Sequence, residues 1–177
     1  YNVGDDDSPS FSPLRDIVSN SDIAWAEDWI ATLCGLQGLA VQPDHRAAIH
    51  DAMLQLSSGP REMRTLTSFS QRCQNVQVKQ ALNYYTVSGP MGHLLDADED
   101  KLSSSHFTVF EIEKLMEMGE ENCLPVLLYL FRIIEKSLHG QPGLLILDEV
   151  WLMLGSRFFK GKIREWLKVM RKAVCAV

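Results

Sequence analysis

Two adjacent carboxylates, Asp148 and Glu149, directly follow the apolar run LLIL at 144–147. A charge at the end of a buried segment costs desolvation free energy unless it binds a ligand, forms an ion pair or is hydrated. Three explanations are open: a helix boundary, a metal or nucleotide site, and a buried strand that ends in a solvated loop. If LLIL is a strand of a parallel sheet, the two acids lie at its carboxyl end, where ligands bind in such sheets.

Four apolar residues followed by Asp-Glu form the Walker B pattern of phosphate-loop ATPases. In that pattern the first acid holds Mg²⁺, usually through water, because Mg²⁺ gives up its hydration shell reluctantly. The second acid orients or deprotonates the attacking water. Asp148 is therefore the candidate ligand for Mg²⁺ and ATP, and Glu149 is the candidate catalytic base. The pattern alone does not settle the matter, since many buried strands end in an acid.

The elements around this acid pair predict an α/β fold. The segment HFTVFEIEKL (106–115) is rich in β-branched and aromatic residues, which favours a strand covered on both faces. We then expect a mostly buried helix at 125–138, a fully buried strand at 144–147, a helix at about 159–172 and the start of another strand in AVCAV. This alternation is typical of a parallel α/β sheet.

The preceding residues predict a block of helices. One helix is expected from Ile23, after a capping cluster at 20–22, and a second from Pro43, because proline suits the first turn. A third is expected after Thr67 as N-cap, and a fourth over about 78–85. The sequence therefore divides into a lead-in at 1–22, a helical insertion subdomain at 23–105 and a nucleotide-binding core at 106–177.

Composition limits the class of protein. The 177 residues are 46% apolar with a formal net charge of -6, which indicates a packed core and argues against a general nucleic-acid or membrane-surface binder. Four scattered cysteines (34, 73, 123 and 175) lack metal-ligand spacing and are typical of core residues in a reducing compartment.

The segment from Leu144 to Val177 resembles the Walker B region of the ATPases that energise bacterial type IV secretion and conjugal transfer. The resemblance rests on the acid pair, the following Trp151, Met153 and Leu154, and the Trp-Leu-Lys and Arg-Lys pairs of the next helix. It continues upstream through FSPL (11–14), the AWAEDW helix (24–29), LTSF (66–69), GHLLDA (92–97), FEIEKLM (110–116) and LLYLFRIIE (127–135).

The resemblance implies part of a RecA-like (P-loop NTPase) motor domain with an all-helical insertion, using ATP and Mg²⁺. It also implies a hexamer at the cytoplasmic face of the bacterial inner membrane, with other secretion-apparatus subunits and partner ATPases as partners. Arg171, beside Lys172, would reach the γ-phosphate of a neighbouring subunit as an arginine finger. The alternative for this basic helix is a solvated surface.

A phosphate loop is missing from these residues. The nearest match, GSRFFKGK (155–162), has one residue too many between its glycines, and Ile163 stands where Ser or Thr should hold Mg²⁺. We expect the loop upstream of Tyr1, since both ends resemble cuts in a longer protein, and we expect little or no hydrolysis by these residues alone. Two rival functions stay open: a non-catalytic assembly module, and a DNA-translocating ring motor, which the net acidity does not favour.

Two other acidic features have simpler explanations. Glu111 and Glu113 are expected to pair with a buried Arg or Lys rather than to act in catalysis. LDADED (95–100) places acids as a Ca²⁺ loop does, but Lys101 replaces the turn glycine and Phe107 the bidentate glutamate. A solvated acidic loop is therefore predicted there.

Overall fold

The computed structural model describes residues 1–4, 8–102, 107–138, 143–148, 157–172 and 175–176. Of these described residues, 60% are helical. The chain forms two compact units, Tyr1–Val126 and Leu127–Val177. The domain boundaries predicted from the sequence differ from this division and stay predictions. Within the described ranges, no helix has the length and apolarity needed to cross a membrane.

Helix α1 (Asn20–Leu36) begins with a capping box. The hydroxyl of Ser19 accepts a hydrogen bond from the backbone N–H of Asp22, and the Asp22 carboxylate accepts one from the N–H of Ser19. These bonds satisfy donors that a helix start leaves without partners. Helical spacing predicts an apolar stripe of five residues, Ile23, Ala26, Trp29, Ile30 and Leu33. The last four are buried, and Ile23 is half-buried.

Helix α2 (Pro43–Ser57) begins at the predicted proline. Helical spacing predicts a buried stripe of Ile49, Ala52, Met53 and Leu56, and all four are buried. Arg64 holds the end of this helix. Its guanidinium donates to the carbonyls of Ser57 at 2.8 Å, Gly59 at 3.1 Å and Ile17 at 2.7 Å. The last carbonyls of a helix have no intrahelical N–H donors, and the guanidinium of Arg64 donates to one of them, that of Ser57.

Short elements complete the helical part of the first unit. Helix α3 (Leu66–Arg72) follows Thr65 as N-cap, two residues before the predicted cap at Thr67. Phe69 and Cys73, whose apolar side chains predict the inward face of this helix, are fully buried. The remaining elements are a 3-10 turn (Arg61–Met63), α4 (Val76–Leu82), a 3-10 turn (Asn83–Tyr85), α5 (Gly92–Leu95) and α6 (Glu113–Glu117).

Helix α7 (Glu120–Ser137) contains a proline, and side chains of the first unit compensate for it. Pro125 lacks the N–H that would reach the carbonyl of Glu121. The hydroxyl of Tyr85 donates to that carbonyl at 2.9 Å, and the indole of Trp29 donates to the carbonyl of Pro125 at 3.0 Å. The beginning of α7 is thus fixed by two buried aromatic residues.

The second unit contains the last helix and two very short strands. Helical spacing predicts one apolar face of helix α8 (Arg157–Lys172), formed by Ile163, Trp166, Leu167 and Met170. Ile163 and Trp166 are buried, Leu167 is 37% exposed, and the side chain of Met170 lies outside the described residues. The ring of Trp166 stacks on Phe131 of α7 at 4.1 Å between centroids. Strand β1 (Gly143–Leu144) pairs in parallel with β2 (Cys175–Ala176), with Gly143 opposite Cys175 and Leu144 opposite Ala176.

The predicted α/β fold, a partial RecA-like parallel sheet, is wrong for this structure. Helices dominate the described residues, and their only sheet is this pair of two-residue strands. Parallel strands need cover on both faces. In LLIL, the side chains of Leu144 and Ile146 are 75% and 78% exposed, and 145–147 is not a strand. The apolar run predicted burial, but none of its four side chains is buried against the described residues.

The predicted strand at 106–115 is also wrong. Phe107 is 82% exposed and Val109 57% exposed, so the segment is not covered on two faces. Its pairing is a single parallel bridge between Asn2 and Glu111. Gly4 then turns the chain away with a φ of +102°, and a side chain there would collide with the backbone of Leu115.

Candidate functional site

Asp148 lies at a bend after β1, and its side chain is exposed. Glu149 and residues 150–156 lie outside the described residues. The assignments of Asp148 to Mg²⁺ and of Glu149 to the attacking water therefore stay predictions. Of the original explanations for Asp148, the end of a helix does not apply, because the described residues before it are strand and irregular chain, and a helix that begins after it would lie outside the described residues.

The described donors fit one mode of Mg²⁺ binding. Across the described ranges, no group of three His, Cys, Asp or Glu side chains is arranged to hold a metal ion. Mg²⁺ in nucleotide sites usually keeps several waters and takes only one or two carboxylates together with the phosphates. One exposed carboxylate suits that role, and the phosphates and water would supply the other ligands.

Arg171 and Lys172 occupy the last turn of α8. Their side chains lie outside the described residues, so the arginine-finger assignment also stays a prediction. Earlier in the helix, Lys160, Arg164 and Lys168 are exposed. Seven of the 16 residues of α8 are Lys or Arg and one is acidic, so the outer surface of this helix is basic.

In the first unit, Asp96 joins two segments that carry the family resemblance. Its carboxylate accepts hydrogen bonds from the backbone N–H of Thr67 at 3.0 Å, from the hydroxyl of Thr67 and from the N–H of Val87 at 2.7 Å. LTSF and GHLLDA are therefore tied together at the start of α3. Hydrogen bonds to a charged acceptor are stronger than neutral ones, which suits a positioning role.

FSPL lies against the same segment. The N–H of Phe11 donates to the carbonyl of Leu94 at 2.7 Å, and the N–H of Ser12 donates to the carboxylate of Asp100 at 2.8 Å. The predicted solvated loop at 95–100 thus holds for Asp98 and Glu99, which are exposed, but is wrong for Asp96 and Asp100. Sequence reasoning missed these two because Asp96 accepts from donors 9 and 29 residues away, and Asp100 from a donor 88 residues away.

The predicted buried ion pairs of Glu111 and Glu113 are wrong. Both side chains are exposed. The Glu111 carboxylate accepts from the N–H of Glu113 at 3.2 Å, at the start of α6. An acid near a helix N-terminus is stabilised by the helix dipole, so a local capping role replaces the expected pairing.

The first unit also has a shallow, open depression of about 340 Å³. Its lining contains amide side chains and no titratable group, so it offers no acid or base for catalysis. The lining residues are Gln37, Gly38, Leu39, Gln77, Gln80 and Ala81.

No family model matches the chain. The chain is similar to a probable conjugal transfer protein TrbE of Sinorhizobium fredii, with 51% identity over all of this chain and 27% of that protein. It is 53% identical to the conjugal transfer protein TrbE of Rhizobium radiobacter, over 98% of the chain and 21% of that protein. A type IV secretion system protein VirB4 of Bartonella henselae is 26% identical over 91% of the chain and 21% of that protein.

The chain thus spans about a quarter of the length of the curated relatives it matches. These similarities confirm the resemblance to conjugal-transfer and type IV secretion proteins that the residues indicated.

Proposed function

We propose, on the premise that this chain is related over its whole length to a segment of the TrbE and VirB4 proteins, that it is part of an ATP-hydrolysing motor for conjugal transfer or type IV secretion. The observation that carries the proposal is the identity of 51% to a conjugal transfer protein over the entire chain. The Asp148–Glu149 pair after LLIL supports it, because that pattern suits Mg²⁺-dependent hydrolysis of ATP.

Each candidate residue has a separate role in this proposal. Asp148 would hold Mg²⁺ through water, and the exposure of its side chain is compatible with that role. Glu149 would orient and deprotonate the attacking water. Arg171 would act across a subunit boundary of a hexamer, where it would neutralise charge on the transferred phosphoryl group. Bound Mg²⁺ would supply further neutralisation of phosphate charge.

We place this motor at the cytoplasmic face of the bacterial inner membrane, in contact with other secretion-apparatus subunits and partner ATPases. Support comes from the names of the relatives, which refer to conjugal transfer and to a type IV secretion system. Three of the four cysteines, Cys34, Cys73 and Cys123, are free and buried, which suits a reducing compartment.

The test is steady-state ATP hydrolysis by the longer protein that carries this segment. Glu149→Gln should lower kcat by about 100-fold or more while nucleotide binding is retained, because a general base contributes at least that much. Glu99→Gln, a matched change of an exposed acid in the first unit, should leave turnover unchanged. Normal turnover in Glu149→Gln would exclude the assigned base.

The 177 residues alone should bind and hydrolyse ATP poorly, since they contain no phosphate loop. Turnover by this chain that Glu149→Gln abolishes would contradict that expectation, and would show that these residues contain a fuller nucleotide site than we propose.

A second candidate function is a non-catalytic assembly module. It is favoured by the first unit, which has its own buried core built around Phe11, Phe69 and Tyr85 and lies apart in sequence from the acid pair. A pull-down of apparatus components by the longer protein would distinguish the two. Capture that survives the double change Asp148→Asn, Glu149→Gln, together with unchanged transfer in cells, would favour the assembly module.

A further inference from the structure

The two units carry opposite formal charges. Nine of the 17 Lys and Arg residues lie at 127–177, with four of the 23 Asp and Glu residues, which gives the second unit +5. The other eight cations and 19 acids give the first unit -11. A separation of charge this large indicates an electrostatic partner for at least one of the units.

The basic charge is concentrated on one exposed row of α8. Lys160, Arg164 and Lys168 follow one another at helical spacing, about 6 Å apart along the axis. We call these three residues the basic row. None of them forms an ion pair with another described residue. Ile163 and Trp166 of the same helix are buried, so those apolar side chains are not free to enter a bilayer.

The first unit has an exposed group of acids at the junction of α6 and α7. Glu113 and Glu117 lie one helical turn apart on α6, and Glu121 follows at the start of α7. All three side chains are exposed, and we call them the acidic strip. Between residues 111 and 121 the sequence has five acids and one cation, Lys114. Repulsion between neighbouring acids falls when cations approach them, so this strip favours a basic partner.

We propose that the basic row of one copy of this chain docks on the acidic strip of a second copy. The two surfaces differ, so the contact is heterologous, and repetition of it gives a ring or an open filament. The inference rests on the hexamer of the proposed function and deepens it by naming the faces in contact. A nucleic-acid or lipid phosphate would suit the basic row as well, but the complementary acids lie in this same chain.

The test is sedimentation velocity of the 177-residue chain without nucleotide, at about 0.05 M and about 0.5 M salt. Two charge-reversed variants are needed: K160E/R164E/K168E and E113K/E117K/E121K. Wild type should associate at low salt, and its dissociation constant should rise about tenfold or more at high salt and in each variant, from the loss of three exposed ion pairs. An equimolar mixture of the two variants should associate again.

The control is R46E/R61E/K101E, which makes the same change of net charge at exposed cations of the first unit and should still associate. Each variant is checked by far-UV circular dichroism, and Gln replaces Glu in any reversed variant of the basic row that is not folded.

Three results would overturn the proposal: a monomeric wild type at high protein concentration, association that both reversals leave unchanged, or a mixture that stays monomeric. Association that appears only with added duplex DNA or anionic phospholipid vesicles would assign the basic row to phosphate and overturn it too. Because no nucleotide is present, the outcome is independent of ATP hydrolysis by the longer protein.

Discussion

Trp29 and Trp166 make the same kind of contact in the two units, with different surroundings. Each is buried, and each donates its indole N–H to a carbonyl of α7, at 3.0 Å for Trp29 to Pro125 and 3.4 Å for Trp166 to Phe131. In the unit of Trp29, the hydroxyl of Tyr85 also donates a hydrogen bond to a carbonyl of α7, and α1 has a complete capping box. In the unit of Trp166, strand β1 leaves Leu144 exposed. A buried aromatic anchor therefore does not by itself produce a covered sheet.

The largest expected effect is that of Trp29→Ala. Truncation of a fully buried Trp removes its apolar burial and leaves a cavity, which costs about 3–5 kcal/mol, and here it also removes the bond to Pro125. Urea denaturation followed by far-UV circular dichroism measures the loss. Trp25→Ala is the control, because Trp25 is half-buried and stacks on Trp29 at 5.8 Å. Equal losses in the two variants would show that Trp29 is not the anchor.

Trp166→Ala tests whether the second unit depends on its own anchor. We expect a smaller cost of about 2–3 kcal/mol, because Trp166 retains 8% exposure and its stacking on Phe131 is the main additional contact. Amide hydrogen exchange should speed up in α8 while α1 keeps its protection. Equal acceleration in α1 would mean that the two units unfold together, and the comparison between them would fail.

The first two helices were largely predictable because their signals are local. Pro43 and the stripe from Ile49 to Leu56 contain what is needed to start a helix and to choose its buried face. A strand is different, since LLIL becomes a covered strand only if other segments lie on both sides of it. The same reasoning applies to the site: the sequence identified Asp148 as the end of an apolar run, but not what faces it.

Long-range polar contacts were the second kind of feature that the sequence could not predict. An aspartate such as Asp96 has the same local signature whether it is solvated or bonded to Thr67, so sequence spacing could not distinguish the two. Arg64 is a similar case for its bond to the carbonyl of Ile17, which lies 47 residues away.

Tyr85→Phe gives a smaller and more specific effect on α7. Without the hydroxyl, the carbonyl of Glu121 loses its donor at a position where Pro125 offers none. A buried polar group left without a partner costs about 1–3 kcal/mol. Tyr84→Phe is the matched control, because the Tyr84 hydroxyl donates to the side chain of Asn122 at 3.0 Å and Tyr84 is half-buried, so its loss should cost less.

A double-mutant cycle with Pro125→Ala sharpens this prediction. Alanine at position 125 restores an N–H four residues after Glu121, so Tyr85→Phe should cost less in the Pro125→Ala background than in wild type. Equal costs in both backgrounds would show that the hydroxyl does not compensate for the proline.

The hydroxyl also makes stability depend on alkaline pH. Burial raises the pKa of Tyr85 to about 12, above an ordinary value near 10. Because the unfolded chain releases this proton first, the contribution of Tyr85 is complete below pH 10 and is lost as the pH rises towards 12. The free energy of unfolding should therefore fall less steeply over that range in Tyr85→Phe than in Tyr84→Phe. Burial likewise raises the pKa of Cys34 and Cys123 to about 12, so part of the decline should persist in both variants. Identical slopes in the two tyrosine variants would show that Tyr85 is not held neutral in the folded chain, and its hydrogen bond to α7 would then need another explanation.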